Sequence, residues 1–258
     1  MLHTHEFPIL EHSTQPRAIL DPVKQEKPFP PLCLLTFFEE VLVDFVDKQG
    51  AKPIGRYRSE MKEFPIYQAR VQGVDLCLCQ AVVGSAAAAM QSDYLFGKGV
   101  DKLMLCGAAG VLEAIPEGEV LLPVRALRDE GASYHYLAPS RYVEVSAEAV
   151  AAARAVLTRH KVPFAECTTW TTDGFYRETE EMVEHRRREG CLTVEMECAA
   201  VAAVAQFRGK VFGQLLYSGD VVVGGQAYDD RGWYDNMSAR EKLFTLALES
   251  AIALAKGV

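Results

Sequence analysis

The sequence lacks the features that mark secreted, membrane and metal-stapled proteins. Its first residues, MLHTHEFPILEHS, contain neither the basic region nor the apolar stretch of a secretory signal. The longest apolar run, residues 81–90, is too short to cross a bilayer and is interrupted by Gly84 and Ser85. The seven cysteines are odd in number and show no CxxC spacing, which predicts reduced, buried thiols rather than disulfides or zinc ligands. We therefore expect a cytoplasmic protein with no metal site and no membrane contact.

The sequence also has fewer basic than acidic side chains. It contains 27 Lys and Arg residues and 35 Asp and Glu residues, for a formal net charge of −8. Nucleic-acid binding needs clustered basic side chains, so this balance argues against DNA or RNA as a partner. The densest basic run, residues 185–188 (HRRR), follows four glutamates and is typical of a solvated helix face. The chain does have 258 residues, 49% of them apolar, which is enough for a sizeable core.

The chain divides into an arm and a domain. Residues 1–30 contain five prolines and no hydrophobic period, which predicts an extended N-terminal arm lying on the body or on a neighbouring subunit. Through residues 31–258, strand-like runs alternate with helix-like runs, which is typical of a single α/β domain with a largely parallel, helix-covered sheet. Such sheets bind ligands at the carboxyl ends of their strands, so a site is expected at the turns after Thr36, Cys106, Thr169 and Tyr217.

A segment without side-chain bulk follows the predicted strand of residues 102–106. It consists of Gly107, Ala108, Ala109 and Gly110. It predicts a tight turn whose backbone amides can face a ligand, although taken alone it favours a plain strand-to-loop turn. It is neither a Walker loop, because no Lys-Ser/Thr follows, nor a GxGxxG fingerprint.

Two carboxylates bracket a methionine where a helix poor in polar residues is predicted to begin. Glu195 and Glu197 lie two residues apart and cannot share one helix face, so they are expected to have different roles. Capping of the helix is one such role, chiefly for Glu195, and a carboxylate at a strand-end cleft can also accept hydrogen bonds from two vicinal hydroxyls.

An aspartate follows a predicted apolar strand in the sequence Ser218-Gly219-Asp220. Apolar surroundings can keep such a carboxyl protonated so that it donates to a leaving group, while a turn-capping role is equally compatible with this feature alone. The acidic residues 229, 230 and 235 do not match a calcium loop and are expected at the surface. Among the six histidines, only His135 has neighbours that suggest a site, and no GxSxG or HExxH motif indicates a hydrolase triad or zinc protease.

Taken together, these segments resemble the nucleoside phosphorylase superfamily of the uridine phosphorylase and hexameric purine nucleoside phosphorylase type, which includes methylthioadenosine nucleosidases. The resemblance runs from about residue 32 to the C-terminus. Its collinear motifs are residues 107–112 (GAAGVL), 128–135 (RDEGASYH), 172–176 (TDGFY), 194–197 (VEME) and 218–220 (SGD), the last with one residue altered.

The resemblance implies a three-layer α/β/α fold with a central mixed, largely parallel twisted sheet, and cleavage of the N-glycosidic bond of a ribonucleoside. It implies that Glu197 holds the ribose diol, Met196 packs beneath the sugar, Phe175 stacks on the base and Asp220 protonates the leaving base. The other substrate-binding residues that it implies are Gly107, Ala108, Ala109, Gly110, His135, Tyr176, Arg177, Glu195 and Ser218. It also implies a homo-oligomer, a dimer or ring of dimers, in which subunits share active sites.

The positions that should bind phosphate depart from the family pattern. The phosphate loop Gly-Asp-Pro-x-Arg is replaced by residues 37–41 (FFEEV), a second arginine by Leu105, and a Thr or Ser by Ala108. Only the arginine lent by a neighbouring subunit has counterparts, Arg56 or Arg58. Losing two guanidinium groups removes bidentate contacts to phosphate.

Three functions therefore stay open at the level of the sequence. Family resemblance favours phosphorolysis to a free base and ribose 1-phosphate, with inorganic phosphate as co-substrate and no other cofactor, in nucleoside salvage. Hydrolysis is the alternative, with Glu39 or Glu40 as the candidate base for water. The third is a catalytically silent relative that binds a nucleoside. The sequence does not decide between a purine and a pyrimidine base.

Overall fold

Twelve strands and six α-helices make up the part of the chain that the computed structural model describes, residues 1–22, 28–223 and 228–257. The strands are β1 (Leu2–His3), β2 (His12–Ser13), β3 (Leu32–Thr36), β4 (Lys52–Arg58), β5 (Glu63–Val71), β6 (Val74–Gln80), β7 (Lys102–Val111), β8 (Val120–Asp129), β9 (Tyr142–Glu144), β10 (Phe164–Thr172), β11 (Cys191–Glu195) and β12 (Val211–Val221). The helices are α1 (Glu39–Gln49), α2 (Ser85–Gly97), α3 (Ala147–Arg159), α4 (Glu180–Arg188), α5 (Cys198–Arg208) and α6 (Met237–Lys256).

Ten of these strands form one mixed sheet in the order β11-β10-β8-β12-β7-β3-β6-β5-β4, with β9 added beside β8. Strands β6, β3, β7 and β12 are parallel to one another, and so are β8, β10 and β11. The two parallel groups join through antiparallel pairings of β12 with β8 and of β11 with β7. The carboxyl ends of β7 and β11 therefore meet, because Val194 pairs with Gly110. The predicted single-domain α/β fold with a mixed, largely parallel sheet is confirmed.

Helices cover the sheet in two groups. Helix α2 packs against α5, and α3 packs against α6, which also contacts β3 and β7. Helix α5 is buried along most of its length because it consists largely of alanine and valine, which pack closely against other elements. All seven cysteines are buried and unpaired, as the sequence predicts. Within the described residues, every helix is either too short or too polar to cross a membrane.

Strand β7 continues through the glycine-rich segment, so the predicted tight turn at residues 107–110 is wrong. Ala108 and Ala109 pair with residues of β12, and Gly110 pairs with β11. A Cβ at Gly107 would lie 2.6 Å from Cδ2 of Phe37, and one at Gly110 would lie 2.9 Å from Cγ1 of Val194. The glycines thus permit close approach of neighbouring side chains rather than a change of chain direction.

Two other boundaries differ from the sequence-based prediction for a similar reason. Strand β12 extends to Val221, so Asp220 lies within the strand rather than in a turn after it. The sequence also predicts an intersubunit loop at residues 55–60, whereas residues 52–58 form strand β4, which pairs with β5 at the sheet edge. Residues 1–22 contain the β1–β2 hairpin and a 3-10 turn at Pro8–Leu10.

Candidate active site

A cavity of about 400 Å³ opens where the carboxyl ends of the two parallel strand groups converge. The segments that follow β3, β6 and β10 contribute to its wall, together with the ends of β7, β11 and β12. Its lining residues are Phe37, Phe38, Glu39, Glu40, Gln80, Ala81, Val83, Ala108, Ala109, Gly110, Phe175, Glu178, Val194, Glu195, Met196, Glu197, Asp220, Trp233, Tyr234 and Arg240. The cavity therefore lies at the strand ends where a ligand site was expected.

Both carboxylate oxygens of Glu195 have hydrogen-bond partners within the protein. Its Oε2 accepts hydrogen bonds from the backbone N–H groups of Glu197 at 2.8 Å and Cys198 at 2.7 Å, at the start of α5. Its Oε1 accepts from the hydroxyl of Thr171 at 2.6 Å. Burial raises the pKa of Glu195, and these hydrogen bonds act in the opposite direction. Glu195 thus anchors the first turn of α5 and the residues beside it.

Glu197 has a different environment, although its side chain is equally buried. Its Oε1 accepts a hydrogen bond from the backbone N–H of Gly84 at 2.5 Å, and the backbone N–H of Met196 also favours its ionised form. Burial raises the pKa of Glu197, and the nearby Glu195 carboxyl adds to the rise. Glu197 therefore presents an oxygen to the cavity that can accept a hydrogen bond from a ligand.

A second pair of carboxyl groups, those of Asp220 and Glu178, lines the cavity. Burial raises the pKa of Asp220 above its ordinary value, while Tyr228 and Arg231 oppose this rise. Burial and the charge of Asp220 raise the pKa of Glu178 to about 7. The half-exposed ring of Phe175 lies in the same wall. This side of the cavity thus combines an aromatic face with carboxyl groups that can keep a proton near neutral pH.

Another part of the wall contains an arginine that is already paired with a carboxylate. Arg240 is only 6% exposed. Its guanidinium donates through Nε to the Glu40 carboxylate and through Nη1 to the carbonyl oxygen of Tyr234 at 2.9 Å. It also stacks 4.7 Å from the ring centre of Phe38. Glu39 accepts hydrogen bonds from Lys62 and Gln80, each at 3.3 Å. Arg240 is the one basic side chain among the described lining residues, which include six carboxylates.

Several site residues suggested by the sequence lie outside this cavity. Ser218 is buried in β12, where its hydroxyl donates to the carbonyl oxygen of Pro116 and accepts from the N–H of Glu119. Gly107 packs under Phe37 and does not line the cavity. The remaining ones are exposed and absent from its wall: His135, Tyr176, Arg177, Arg56 and Arg58. Arg56 and Arg58 pair with Glu63 on the sheet edge.

Several lining residues were not singled out as site residues from the sequence, among them Arg240, Glu178, Trp233 and Tyr234. Arg240 has the pattern of an ordinary charged residue in the first turn of a helix, and Glu178 is one of several glutamates before α4. Trp233 and Tyr234 lie among the acidic residues 229, 230 and 235. The sequence predicts these acidic residues at the surface, and they are exposed. An aromatic pair beside such a loop is the only local signal that could have indicated them. No group of His, Cys, Asp or Glu within residues 1–22, 28–223 and 228–257 is arranged to hold a metal ion.

Both the sequence and the fold of this chain have known relatives. A family model described as "Phosphorylase superfamily" matches residues 31–253. The guanosine phosphorylase of Halorubrum lacusprofundi is 27% identical over 170 residues, which are 65% of this chain and 70% of that protein. Among solved structures, uridine phosphorylase from Vibrio fischeri superposes with a TM-score of 0.75 at 19% identity, covering 93% of this chain and 99% of the other. AMP nucleosidase from Bacteroides thetaiotaomicron gives 0.71 at 23% identity, with 88% and 90% covered.

Proposed function

Because the chain belongs to the phosphorylase superfamily, we propose that it cleaves the N-glycosidic bond of a ribonucleoside, with water as the nucleophile. One observation carries this proposal. A single cavity is lined by Glu197 with an available oxygen, Met196, the ring of Phe175, and the buried carboxyl of Asp220. These groups suit the diol, the sugar, the base and the leaving nitrogen of one bound nucleoside.

The charge of the cavity favours water over phosphate. A phosphate dianion needs cations or several N–H donors, and bidentate arginine contacts are the usual solution. Here the lining includes six carboxyl groups, of which the buried ones have raised pKa values, and one arginine, which is already paired with Glu40. Bringing a dianion into this environment adds like-charge repulsion that a neutral water molecule does not meet.

Hydrolysis then needs only groups that line the cavity. As the C1′–N bond breaks, its electron pair moves to the base and the sugar gains oxocarbenium character. Asp220 gives its proton to a base nitrogen, while Glu40 takes a proton from the water whose oxygen bonds to C1′. The products are ribose and the free base. Solvent returns the proton from Glu40 to Asp220, so that the cycle closes.

Phosphorolysis is the second candidate, supported by the similarity to a guanosine phosphorylase. Arg56, Arg58 and His135 are exposed and do not line the cavity. For either reaction we propose a homo-oligomer in which these residues face the site of a neighbouring subunit. Arginines supplied in this way are the route by which the protein could still bind phosphate.

A nucleoside panel separates these reactions. The purified protein is incubated with purine and pyrimidine ribonucleosides, with and without inorganic phosphate, and free base and sugar products are followed by chromatography. We expect base and free ribose to appear at the same rate in both conditions. Base release that requires phosphate and yields ribose 1-phosphate would favour phosphorolysis instead. A protein that binds nucleosides and releases no base would be a silent binding relative.

Glu197→Gln tests the assignment of the ribose diol. An amide keeps one acceptor oxygen but replaces the second carboxyl oxygen with an NH₂ group, which cannot accept from a hydroxyl, so we expect kcat/KM for the best ribonucleoside to fall by about 10- to 100-fold. The 2′-deoxy analogue should lose less, because it makes fewer hydrogen bonds to this carboxylate. Equal losses for the two sugars would remove Glu197 from diol recognition. Gln80→Glu, which adds a carboxylate elsewhere in the wall, is a control for changes in cavity charge.

A further inference from the structure

The carboxylate of Asp173 accepts hydrogen bonds from two other segments of the chain, and we propose that it is a positioning residue for sugar recognition. By holding Ser85, it fixes the backbone N–H of Gly84 that directs the Glu197 carboxylate toward the ribose diol. The inference rests on the proposed function, since it concerns how the diol-binding side chain is held. Asp173 is not among the described residues that line the cavity, so it acts through its neighbours.

Both oxygens of the Asp173 carboxylate have partners that are distant in sequence. Oδ1 accepts from the hydroxyl of Ser85, the first residue of helix α2, and Oδ2 accepts from the backbone N–H of Gly131 at 2.8 Å. Ser85 is only 1% exposed, and a buried hydroxyl that loses its partner is costly. Asp173 therefore joins the segments that follow β8 and β10 to the start of α2.

The residue before Ser85 makes the contact with the proposed diol-binding side chain. Gly84 donates its N–H to Oε1 of Glu197 at 2.5 Å and has a φ of +96°, in the region that favours glycine. A Cβ at this position would have no atom within 4 Å, so side-chain packing does not fix the local backbone. The direction of this N–H therefore depends on the hydrogen bonds around it, among them the one from Ser85 to Asp173.

Asp173 also lies two residues before Phe175, the ring proposed to stack on the base. Gly174, between them, donates its N–H to the hydroxyl of Thr172 at 3.1 Å and accepts from the N–H of Arg177 at 2.6 Å. These bonds hold the turn that carries Phe175. The Asp173 carboxylate thus lies where the base-binding segment meets the segment that contacts Glu197.

The charge of Asp173 has an effect of its own on Glu197. Burial and the nearby Glu195 raise the pKa of Glu197 to about 8, and the charge of Asp173 adds to this rise. Removing that charge favours the ionised form of Glu197, which is the better acceptor, so it would strengthen diol binding. Loss of positioning has the opposite effect. Ser85→Ala separates the two effects because it removes the hydrogen bond and keeps the charge of Asp173.

The test compares kcat/KM for adenosine, guanosine, cytidine and uridine with kcat/KM for their 2′-deoxy forms. We expect Ser85→Ala and Asp173→Ala each to lower the ribo-to-deoxy ratio by about three- to tenfold, since a displaced Glu197 mainly affects the sugar that has both hydroxyls. In the Glu197→Gln background, Ser85→Ala should no longer change the ratio. Asp47→Ala, at an exposed position of α1, is the control and should keep the wild-type ratio.

A purely structural role would lower the thermal unfolding midpoint and leave the ratio unchanged. An unchanged ratio in both single variants, shown to be folded by circular dichroism, would overturn the inference alone if Glu197→Gln reduces the ratio. A raised ratio in Asp173→Ala with no change in Ser85→Ala would also overturn it, because the charge would then be the cause.

A protein that releases no base would contradict the proposed reaction alone. The same ratio is then taken from equilibrium binding of the eight nucleosides, measured by titration calorimetry, and a fall in Ser85→Ala and Asp173→Ala would still support the positioning role. Equal binding of the ribo and deoxy forms by such a wild type would contradict both the diol assignment and the inference.

Discussion

Asp220→Asn is expected to lower kcat for the best ribonucleoside by about 10²- to 10⁴-fold, the usual contribution of a general acid. Asparagine can still donate an N–H hydrogen bond to the base nitrogen, but it cannot transfer a proton to it. Nucleoside binding should therefore change by no more than about threefold, since the contacts of Glu197 and Phe175 remain. Single-turnover rates together with equilibrium binding separate the two effects.

The pH dependence of kcat provides the internal check on this assignment. Protonated carboxyl is the active form, and the raised pKa values of Asp220 and Glu178 extend it toward neutral pH. In the wild type, kcat should decline as rising pH removes the proton from Asp220, and burial moves this decline above the ordinary titration range of an aspartate. In Asp220→Asn this decline should disappear. A variant with the wild-type rate and the wild-type pH profile would exclude Asp220 as the acid.

Glu40→Gln is expected to have the second large effect, a loss of about 10²- to 10⁴-fold in kcat, because a glutamine cannot take a proton from the attacking water. Arg240 holds the Glu40 carboxylate in the wall through an ion pair. The KM should change much less than kcat, since the base and the diol contact other residues. The measurement is steady-state kinetics of base release without phosphate.

Two further variants distinguish catalysis from structural damage at this position. Glu40→Gln leaves the buried Arg240 without its anionic partner, so its thermal unfolding midpoint must be compared with that of the wild type. Glu40→Asp keeps the charge on a shorter side chain and should restore part of the rate. Glu39→Gln changes the adjacent carboxylate, which binds Lys62 and Gln80 instead, and should lose less than about tenfold. Comparable losses for Glu39→Gln and Glu40→Gln would argue against a specific base at position 40.

The amino-acid sequence was sufficient for the fold class and for several of the segments that line the cavity. The alternation of strand-like and helix-like runs depends on local hydrophobic periodicity, and the sheet confirms it. Residues 194–197 are neighbours along the chain, so the turn that aims Glu195 and Glu197 differently is a local property. The resemblance to the nucleoside phosphorylase superfamily is confirmed by the match over residues 31–253.

The lengths of the strands at the site could be determined only from the tertiary structure. Residues 107–110 look like a turn because glycine and alanine have low strand propensity, yet pairing with β11 and β12 keeps them extended. Asp220 lies inside β12 for the same reason. The basic run at residues 185–188 was expected to be solvated, but Arg186 is buried and pairs with Asp129, 57 residues earlier. In each case the environment comes from strands or side chains that are distant in sequence.

The charge around the proposed position of the attacking water is likewise set by contacts between residues that are distant in sequence. The sequence shows that two of the family's phosphate arginines have no counterpart. It does not show that Arg240 reaches the cavity from α6, 200 residues after its ion-pair partner Glu40. It shows Glu178 as one acidic residue among many, whereas its meeting with Asp220 depends on how the segment after β10 packs beside β12. Local sequence thus determined which reactive groups this protein has. Only the folded chain decided which of them share a cavity, because the electrostatic interactions that set their protonation act through space rather than along the backbone.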